Sequence, residues 1–283
     1  MNAQRKIAAR KPWMESKGGA WKTAEMAFGW VLFTPYYPCP WTLDRGPLSA
    51  PQDGPKWTCG LPEIEEAARD EQSRCIVYSF GSRRETSFER RVFELAPSCE
   101  VHIFDQSAPV RPAPTDERGR AALYHCQYLL AEASKLGDTL ASTMQHLGHP
   151  HVDVLKMDIE GAEWPVFKQV NWSSAHVGQI QVEIHPGKNR KLGDLMQLFA
   201  LLEDAGFRAM SVEPVNFSPS IREGGSQPVE FVFLHRSWTP AGFALHAPHG
   251  TNHTGTHHRP RLERNIGHTR RLRGQGRGRP VRH

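Results

Sequence analysis

From Cys75 to Arg236 the chain alternates short β-rich runs with segments of helical periodicity, and no other feature limits its fold as strongly. Five strands, most of them followed by a helical segment, precede two last strands that have no helix between them. This alternation predicts a parallel sheet with helices on both faces. The last two strands, 207–214 and 229–236, predict an antiparallel pair at one edge. The sequence therefore predicts a doubly wound, Rossmann-like α/β fold.

The predicted elements follow from apolar runs, helical spacing and capping residues. We expect Ser87 to cap the second helix and Asp138 or Thr139 to cap the third. Pro165 is compatible with a helix only in its first turn. The predicted strands before the final pair are 75–80, 99–105, 122–130, 152–158 and 179–185, and the predicted helices are 61–74, 87–95, 139–147, 159–170 and 192–206.

Composition divides the chain into three parts. Residues 1–60 are rich in Trp, Pro and Gly and predict an irregular arm and cap, residues 61–237 form the folded domain, and residues 238–283 predict a disordered His/Arg/Gly-rich tail. The net charge is +5, but nine arginines and one acid after residue 245 contribute +8, so the rest sums to −3. Weak polyanion binding is therefore expected of the tail, within 259–283, and not of the folded domain.

The five cysteines fall into two groups. Cys75, Cys99 and Cys126 each lie at or near an apolar run, and we expect them to be buried thiols. Cys39 and Cys59 bracket a stretch rich in Pro and Gly. A disulfide between these two is possible, but the count of cysteines leaves it open.

The sequence leaves the compartment open. It contains no run of about 18 apolar residues, so no transmembrane helix is predicted. No signal peptide is identified either. Asn171, Asn216 and Asn252 lie in N-x-S/T sequons, which weakly favours a secretory origin. A soluble protein of the cytoplasm or of the secretory lumen fits these observations.

The turn after the first predicted strand is the first candidate for ligand binding, because open parallel sheets bind ligands at the carboxyl ends of their strands. It contains Ser79, Phe80, Gly81 and Ser82. A glycine there lets the backbone approach a ligand, and nearby amide groups can point at a carboxylate. An ordinary turn is the alternative.

Asp105 ends the second predicted strand and is followed by Gln106. An acid at this position can accept hydrogen bonds from both ribose hydroxyls of an adenosine. The alternative is a helix cap or a loop acid. Its separation from Gly81 favours the binding role.

The ends of the fourth and fifth predicted strands carry the candidate catalytic residues. Asp158, Glu160 and Glu163 crowd one strand-to-helix turn, where acids also complement a helix dipole. Glu183 and His185 share one side of the fifth strand. If the two strands are neighbours, Asp158, Glu183 and His185 come together. His185 has a suitable ordinary pKa for a general base, but the three could instead hold one divalent cation, and His185 could be purely structural.

These residues resemble a known family. The segment VDVLKMDIEGAEWPVF, 152–167, is similar to FkbM-type methyltransferases, in which an apolar strand precedes Asp and a Glu-Gly-Ala-Glu turn. CIVYSFGSRRETSFE, 75–89, resembles the eukaryotic methyltransferase-like branch of that family. The segment that contains Cys39 and Cys59 is also similar to that branch.

The resemblance implies a seven-stranded methyltransferase sheet with S-adenosylmethionine as cofactor. We expect no resident metal. By this resemblance Gly81 and its neighbours match the first cofactor motif, Asp105 the ribose-binding acid, and Asp158 and Glu160 the acids after strand four. O-methylation of a hydroxyl on a small molecule or a glycan is the implied reaction. The first motif has one glycine where the family usually has two or three. A binding or scaffold protein that keeps the fold without activity is therefore the alternative.

Overall fold

A computed structural model describes residues 35–46, 56–69, 74–106, 113–116, 118–185, 192–215 and 228–243, and all structural statements concern these residues. The chain divides into two units, Met1–Leu245 and His246–His283, and every described residue belongs to the first. Most of the predicted N-terminal arm and most of the predicted tail lie outside the described residues. The three predicted parts of the chain therefore stay predictions.

The strands occur in the predicted order. The long strands are confirmed to within a few residues, and short additional strands flank them. In chain order the strands are β1 (Leu43–Asp44), β2 (Thr58–Cys59), β3 (Ile76–Phe80), β4 (Glu100–Phe104), β5 (Leu123–His125), β6 (Tyr128–Leu129), β7 (Gly137–Asp138), β8 (Val152–Met157), β9 (Val177–Ile184), β10 (Phe207–Pro214), β11 (Val229–His235), β12 (Trp238–Thr239) and β13 (Gly242–Phe243).

Five described helices connect these strands, and they are α1 (Leu61–Ala67), α2 (Ser87–Leu95), α3 (Leu140–Leu147), α4 (Glu163–Gln169) and α5 (Leu192–Asp204). Helix α1 ends well before the predicted Arg74. The N-cap of α2 is Thr86, so the prediction that Ser87 caps it is wrong. Thr139 caps α3, because its side chain accepts an amide hydrogen bond at 3.2 Å.

The central sheet has seven strands in the order β10-β11-β9-β8-β3-β4-β5. Strands β3, β4, β5, β8 and β9 are parallel, whereas β11 runs antiparallel to both of its neighbours. The doubly wound α/β fold with an antiparallel last strand is therefore confirmed. Strand order reverses between β3 and β8, and such a switch point opens a crevice at the carboxyl ends of the strands.

Alternating side chains of the central strands divide the core into two layers. Val77 and Val154 belong to the layer that also contains residues of α1 and α2. Tyr78 and Leu155, one position further along each strand, belong to the layer that contains residues of α3, α4 and α5. Burying one side chain such as Phe167, which is 2% exposed, contributes about 1.5–3 kcal/mol. Helices therefore cover both faces of the sheet.

The segment that contains β2 lies across the first of these faces, against β9. The side chain of Gln179 accepts the amide of Cys59 at 2.9 Å and donates to its carbonyl at 2.6 Å. Gln181 donates to the carbonyl of Trp57 at 2.8 Å. Because both amides are buried, these bonds satisfy polar groups that would otherwise destabilise the core. They also fix the position of Lys56, the residue before Trp57.

The cysteines correct one prediction and decide another. Cys39 and Cys59 form a disulfide, as the sequence allowed. Cys75 and Cys99 form a second one, and Cys126 is an exposed thiol, so the prediction of three buried thiols is wrong. Cys75 and Cys99 precede the neighbouring strands β3 and β4, which places their Cα atoms 4.5 Å apart. Apolar surroundings in the sequence cannot distinguish a thiol from a disulfide, because both are buried readily.

Thiol labelling tests this arrangement. The unfolded, unreduced chain is expected to react with iodoacetamide at Cys126 alone, and at all five cysteines after reduction. Replacing Cys75 and Cys99 by Ser should lower the free energy of unfolding by about 3 kcal/mol, because the bond closes a loop of 24 residues. Peptide mass spectrometry reads the labels. Label on Cys75 or Cys99 before reduction would contradict the assignment.

Candidate active site

The carboxyl ends of three neighbouring strands meet at the switch point. Phe80, the last residue of β3, pairs with Phe104 of β4 and with Met157 of β8. Beyond them, the Gly81 amide donates to the carbonyl of Phe104 at 3.0 Å, and the Asp158 amide donates to the carbonyl of Phe80 at 3.1 Å. The turn after β3 is therefore hydrogen-bonded to one neighbouring strand, and the residue after β8 is hydrogen-bonded to β3.

Gly81 allows this close approach. Its φ angle is +77°, in the region that favours glycine, and a Cβ atom added here would lie 1.7 Å from the carbonyl oxygen of Asp158. Both conditions exclude a side chain at this position. The one glycine of the first motif is thus required by the fold itself, whatever it contributes to binding.

The turn that follows Gly81 is strained, and its first residue, Ser82, is buried. Ser82 is 4% exposed, and its hydroxyl has no hydrogen-bond partner among the described residues. Arg83 and Arg84 have φ angles of 46° and 69°, which are unfavourable for residues with side chains. The amide of Arg83 donates to Asp105 Oδ2 at 2.6 Å. Asp105 thus holds the turn, and strain of this kind concentrates at functional sites.

The side chains of three predicted cofactor residues, Ser79, Phe80 and Gln106, contact the protein itself. Ser79 and Phe80 are fully buried, and the ring of Phe80 stacks on Phe104 at 4.3 Å. Only the backbone of these two can meet a ligand at the edge. The side-chain amide of Gln106 donates to two backbone carbonyls, at 2.7 and 3.3 Å, and so fixes neighbouring loops. Glu160 is exposed with a φ of 57°, and Arg83 lies 3.4 Å away.

A buried lysine holds the acids at the ends of β8 and β9 together. Lys56 Nζ lies 3.8 Å from Asp158 Oδ2 and 3.4 Å from Glu183 Oε2, and it also contacts Glu230 of β11. Burial raises the pKa of Glu183, and the charge of Asp158 adds to this while Lys56 opposes it. Burial also raises the pKa of Glu230 well above its ordinary value. Asp158 and Glu183 were predicted as site residues from the sequence, whereas Lys56 and Glu230 were not.

His185 joins this cluster as a cation. Its Nε2 atom lies 3.4 Å from Glu183, and its Nδ1 atom lies 3.0 Å from Oε1 of Glu163, which is fully buried. Burial lowers the pKa of His185, but Glu163, Glu183 and Asp158 together outweigh burial and raise it to about 9. The ordinary pKa that would suit a general base is therefore shifted upward at this position. At neutral pH this shift favours the imidazolium, which donates hydrogen bonds.

Asp158, Glu183 and His185 do come together, with one ligand atom of each within 4.8 Å of the others. A divalent cation held by all three would require a neutral imidazole and would meet the charge of Lys56. The protein's own cations, Lys56 and the imidazolium, already face these carboxylates. The residues present therefore do not favour a metal at this position.

Helix α2 carries a buried carboxylate that was not predicted from the sequence. Glu89 is fully buried, and neither of its oxygens has a hydrogen bond of normal geometry among the described residues. Burial raises its pKa, while the charge of Lys156 and the hydroxyl of Ser79 lower it. Two signals could have found this pair. Glu89 shares the helix face of Val92, three residues later, and Lys156 is one of two charged residues in a strand whose other four residues are apolar.

Fold and site define a class. A glycine turn after the central strand, an acid after the next one and an antiparallel last strand together form a Rossmann-like sheet of the methyltransferase kind. A family model described as a methyltransferase domain matches residues 2–225. The chain therefore belongs to this family of methyltransferases, and its cofactor is S-adenosylmethionine.

Individual proteins are also similar to this chain. The "Probable methyltransferase-like protein 24" of Rattus norvegicus is 33% identical over 157 residues, which are 50% of this chain and 40% of the relative. The Homo sapiens protein of that name is 29% identical over 151 residues, 48% and 40% of the two chains. The chain thus spans 40% of the length of these relatives. A solved structure, a TehB-like SAM-dependent methyltransferase from Corynebacterium glutamicum, is 13% identical with a TM-score of 0.31, and the match covers 62% of this chain and 88% of that one.

The raised pKa of His185, about 9, predicts how this site contributes to stability. A His whose pKa rises on folding from about 6.5 stabilises the folded state fully below about pH 6.5, and this contribution is lost as the pH rises through 9. The free energy of unfolding of wild type should therefore be about 3 kcal/mol larger than that of His185→Gln at pH 6, and the difference should shrink towards pH 9.5. Urea unfolding at both pH values measures it.

His146→Gln is the control, since that side chain is 69% exposed. Its difference from wild type should be small at both pH values. A difference between wild type and His185→Gln that stays constant from pH 6 to 9.5 would show that the imidazole does not titrate in this range.

Proposed function

We propose that this domain transfers the methyl group of S-adenosylmethionine to a hydroxyl oxygen of a small molecule or a glycan. The observation that carries the proposal is the meeting of Gly81, Asp105 and Asp158 at the switch point of the sheet. The similarity of 152–167 to FkbM-type enzymes supports a hydroxyl acceptor, because many of those enzymes methylate hydroxyls.

The residues at this edge fit the cofactor. Ser82 offers a buried hydroxyl that lacks a partner among the described residues, and a ligand at the turn would satisfy it. Asp105 follows the strand next to the turn, where an acid can accept from ribose hydroxyls. Asp158 and Glu160 supply negative charge for the amino group of the cofactor. In this proposal Ser79, Phe80 and Gln106 support the turn and the loop without side-chain contacts to the cofactor.

When bound, the cofactor supplies a methyl group that is already electrophilic. The protein then has to hold the acceptor at near-attack distance and take its proton. We assign the proton to an Oδ atom of Asp158, which is 20% exposed and so accessible at the edge. His185, as an imidazolium, donates to the acceptor or orients Glu183. Lys56 holds the carboxylates of Asp158 and Glu183 near each other.

A binding or scaffold role without catalysis is the second candidate. It is favoured by the single glycine of the first motif and by Asp105, which accepts a hydrogen bond from Arg83 within the protein itself. Cofactor affinity separates the two candidates. A scaffold of this kind would show no binding of S-adenosylmethionine up to millimolar concentrations.

We also propose an oxidising compartment, such as the secretory lumen. Two disulfides join Cys39 to Cys59 and Cys75 to Cys99, and such bonds are rare in the reducing cytosol. The exposed sequon residue Asn171 is consistent with this. In the part of the chain that the structure describes, no helix is long and apolar enough to cross a membrane.

Weak polyanion binding through the arginines of 259–283 remains a proposal that rests on composition. These residues lie outside the described part of the chain. RNA retention that disappears when they are removed, and that falls steeply with salt, would support it.

Asp105→Asn tests the cofactor site. Loss of the charged acceptor should weaken S-adenosylmethionine binding by roughly 10- to 100-fold, because hydrogen bonds to charged groups contribute about 1.5–3 kcal/mol. Isothermal titration calorimetry measures the dissociation constant. Asp204→Asn is the matched control, since that acid is exposed at the end of α5. Unchanged affinity in Asp105→Asn would exclude the ribose role.

Asp158→Asn tests the assignment of the base. At saturating S-adenosylmethionine, turnover should fall by about 10²- to 10⁴-fold, the usual contribution of a general base. Wild type is first used to find an acceptor in a panel of glycans and hydroxylated small molecules. Transfer of labelled methyl to that acceptor then gives kcat for each variant. Asp204→Asn again serves as control. Equal turnover in wild type and Asp158→Asn would remove Asp158 from the chemistry.

A further inference from the structure

A second cluster of metal-ligating side chains lies at the amino ends of the strands, opposite the proposed active site. It consists of Glu100, the first residue of β4, of His102 on the same strand, and of His149, which precedes β8. We call these three residues the amino-edge cluster. We infer that the amino-edge cluster binds one divalent transition-metal ion of the Zn²⁺ type.

The spacing of the ligand atoms suits such an ion. Glu100 Oε1 lies 2.8 Å from His102 Nε2 and 3.4 Å from His149 Nε2, and one ligand atom of each residue lies within 4.8 Å of the others. Bond lengths of about 2.0–2.2 Å to zinc place tetrahedral ligand atoms about 3.3 Å apart. Two imidazoles and one carboxylate are a set that zinc uses when a fourth position stays open for water.

Each histidine is also oriented through its other nitrogen. His102 Nδ1 lies 2.9 Å from Nε2 of His125, and His149 Nδ1 lies 2.6 Å from the hydroxyl of Tyr78. Metal-bound histidines nearly always have such a partner, which fixes the ring and increases its basicity. Both Nε2 atoms therefore point at the same carboxylate, while both Nδ1 atoms lie within hydrogen-bond distance of a side chain on the opposite side of the ring.

Burial keeps the ligands ready for a metal. The side chains of His102 and His149 are 1% and 2% exposed, and that of Glu100 is 35% exposed, which leaves an opening for the ion.

Nearby covalent and ionic contacts make the site rigid. Arg74 Nη2 lies 3.0 Å from Oε2 of Glu100, which leaves Oε1 to face the histidines. The disulfide between Cys75 and Cys99 joins the residues next to these two in the chain. A preformed site costs less conformational entropy on binding than a flexible one. The ion would join β4 to the loop before β8.

The test is metal analysis of the full-length chain, purified without an affinity tag, loaded with ZnCl₂ and passed through a desalting column. Wild type is expected to retain one additional zinc per chain relative to His149→Gln and to Glu100→Gln. Zinc should also raise the melting temperature of wild type and not that of either variant. Circular dichroism confirms that the variants are folded.

The control addresses the His-rich segment 246–258, which could bind metal adventitiously. A variant with Gln at His253, His257 and His258 should keep the zinc that depends on His149. Co²⁺ offers a second readout, since binding at the amino-edge cluster should give visible d–d absorption that His149→Gln abolishes. The inference would be overturned if wild type and His149→Gln retained the same amount of zinc per chain. It would also be overturned if zinc were lost only in the tail variant.

Discussion

The close approach of the Gly81 turn to the backbone of Asp158 determines how the rest of this edge is arranged. A side chain at Gly81 would collide with the Asp158 carbonyl oxygen, so the two strand ends can meet only around a glycine. Their meeting aligns the turn after β3 with the acids after β4 and β8. The strained Arg83 and Arg84 follow from it, because the chain must leave Gly81 and still donate an amide to Asp105.

Charge is the second constraint. Carboxylates from three strands converge at the carboxyl edge, and they can be buried only because Lys56 and the imidazolium of His185 lie among them. Lys56 belongs to a segment that the side-chain amides of Gln179 and Gln181 bind to β9, so this segment before α1 is part of the site. At the amino edge two buried histidines face one oxygen of a single carboxylate, that of Glu100, and Arg74 binds its other oxygen.

The fold could be predicted because short apolar runs and helical spacing directly determine which elements form. The positions of Gly81, Asp105 and Asp158 followed from the rule for strand ends. Lys56, Glu230 and His149 could not be predicted, because they come from segments distant in sequence whose approach depends on tertiary packing. The raised pKa of His185 was missed for the same reason, since Glu163 meets it only after α4 packs beside β9. The disulfide between Cys75 and Cys99 was not predicted, because apolar neighbours in the sequence are equally compatible with a buried thiol and with a disulfide.

The proposed adenosyl pocket lies over the turn after β3. A crystal structure of the full chain with S-adenosylhomocysteine tests it most directly. We expect electron density for the ligand above Gly81, with Ser82 Oγ hydrogen-bonded to it, the ribose hydroxyls on Asp105, and the sulfur facing Asp158. Ligand density at another surface, with this turn unchanged and in contact only with solvent, would contradict the account.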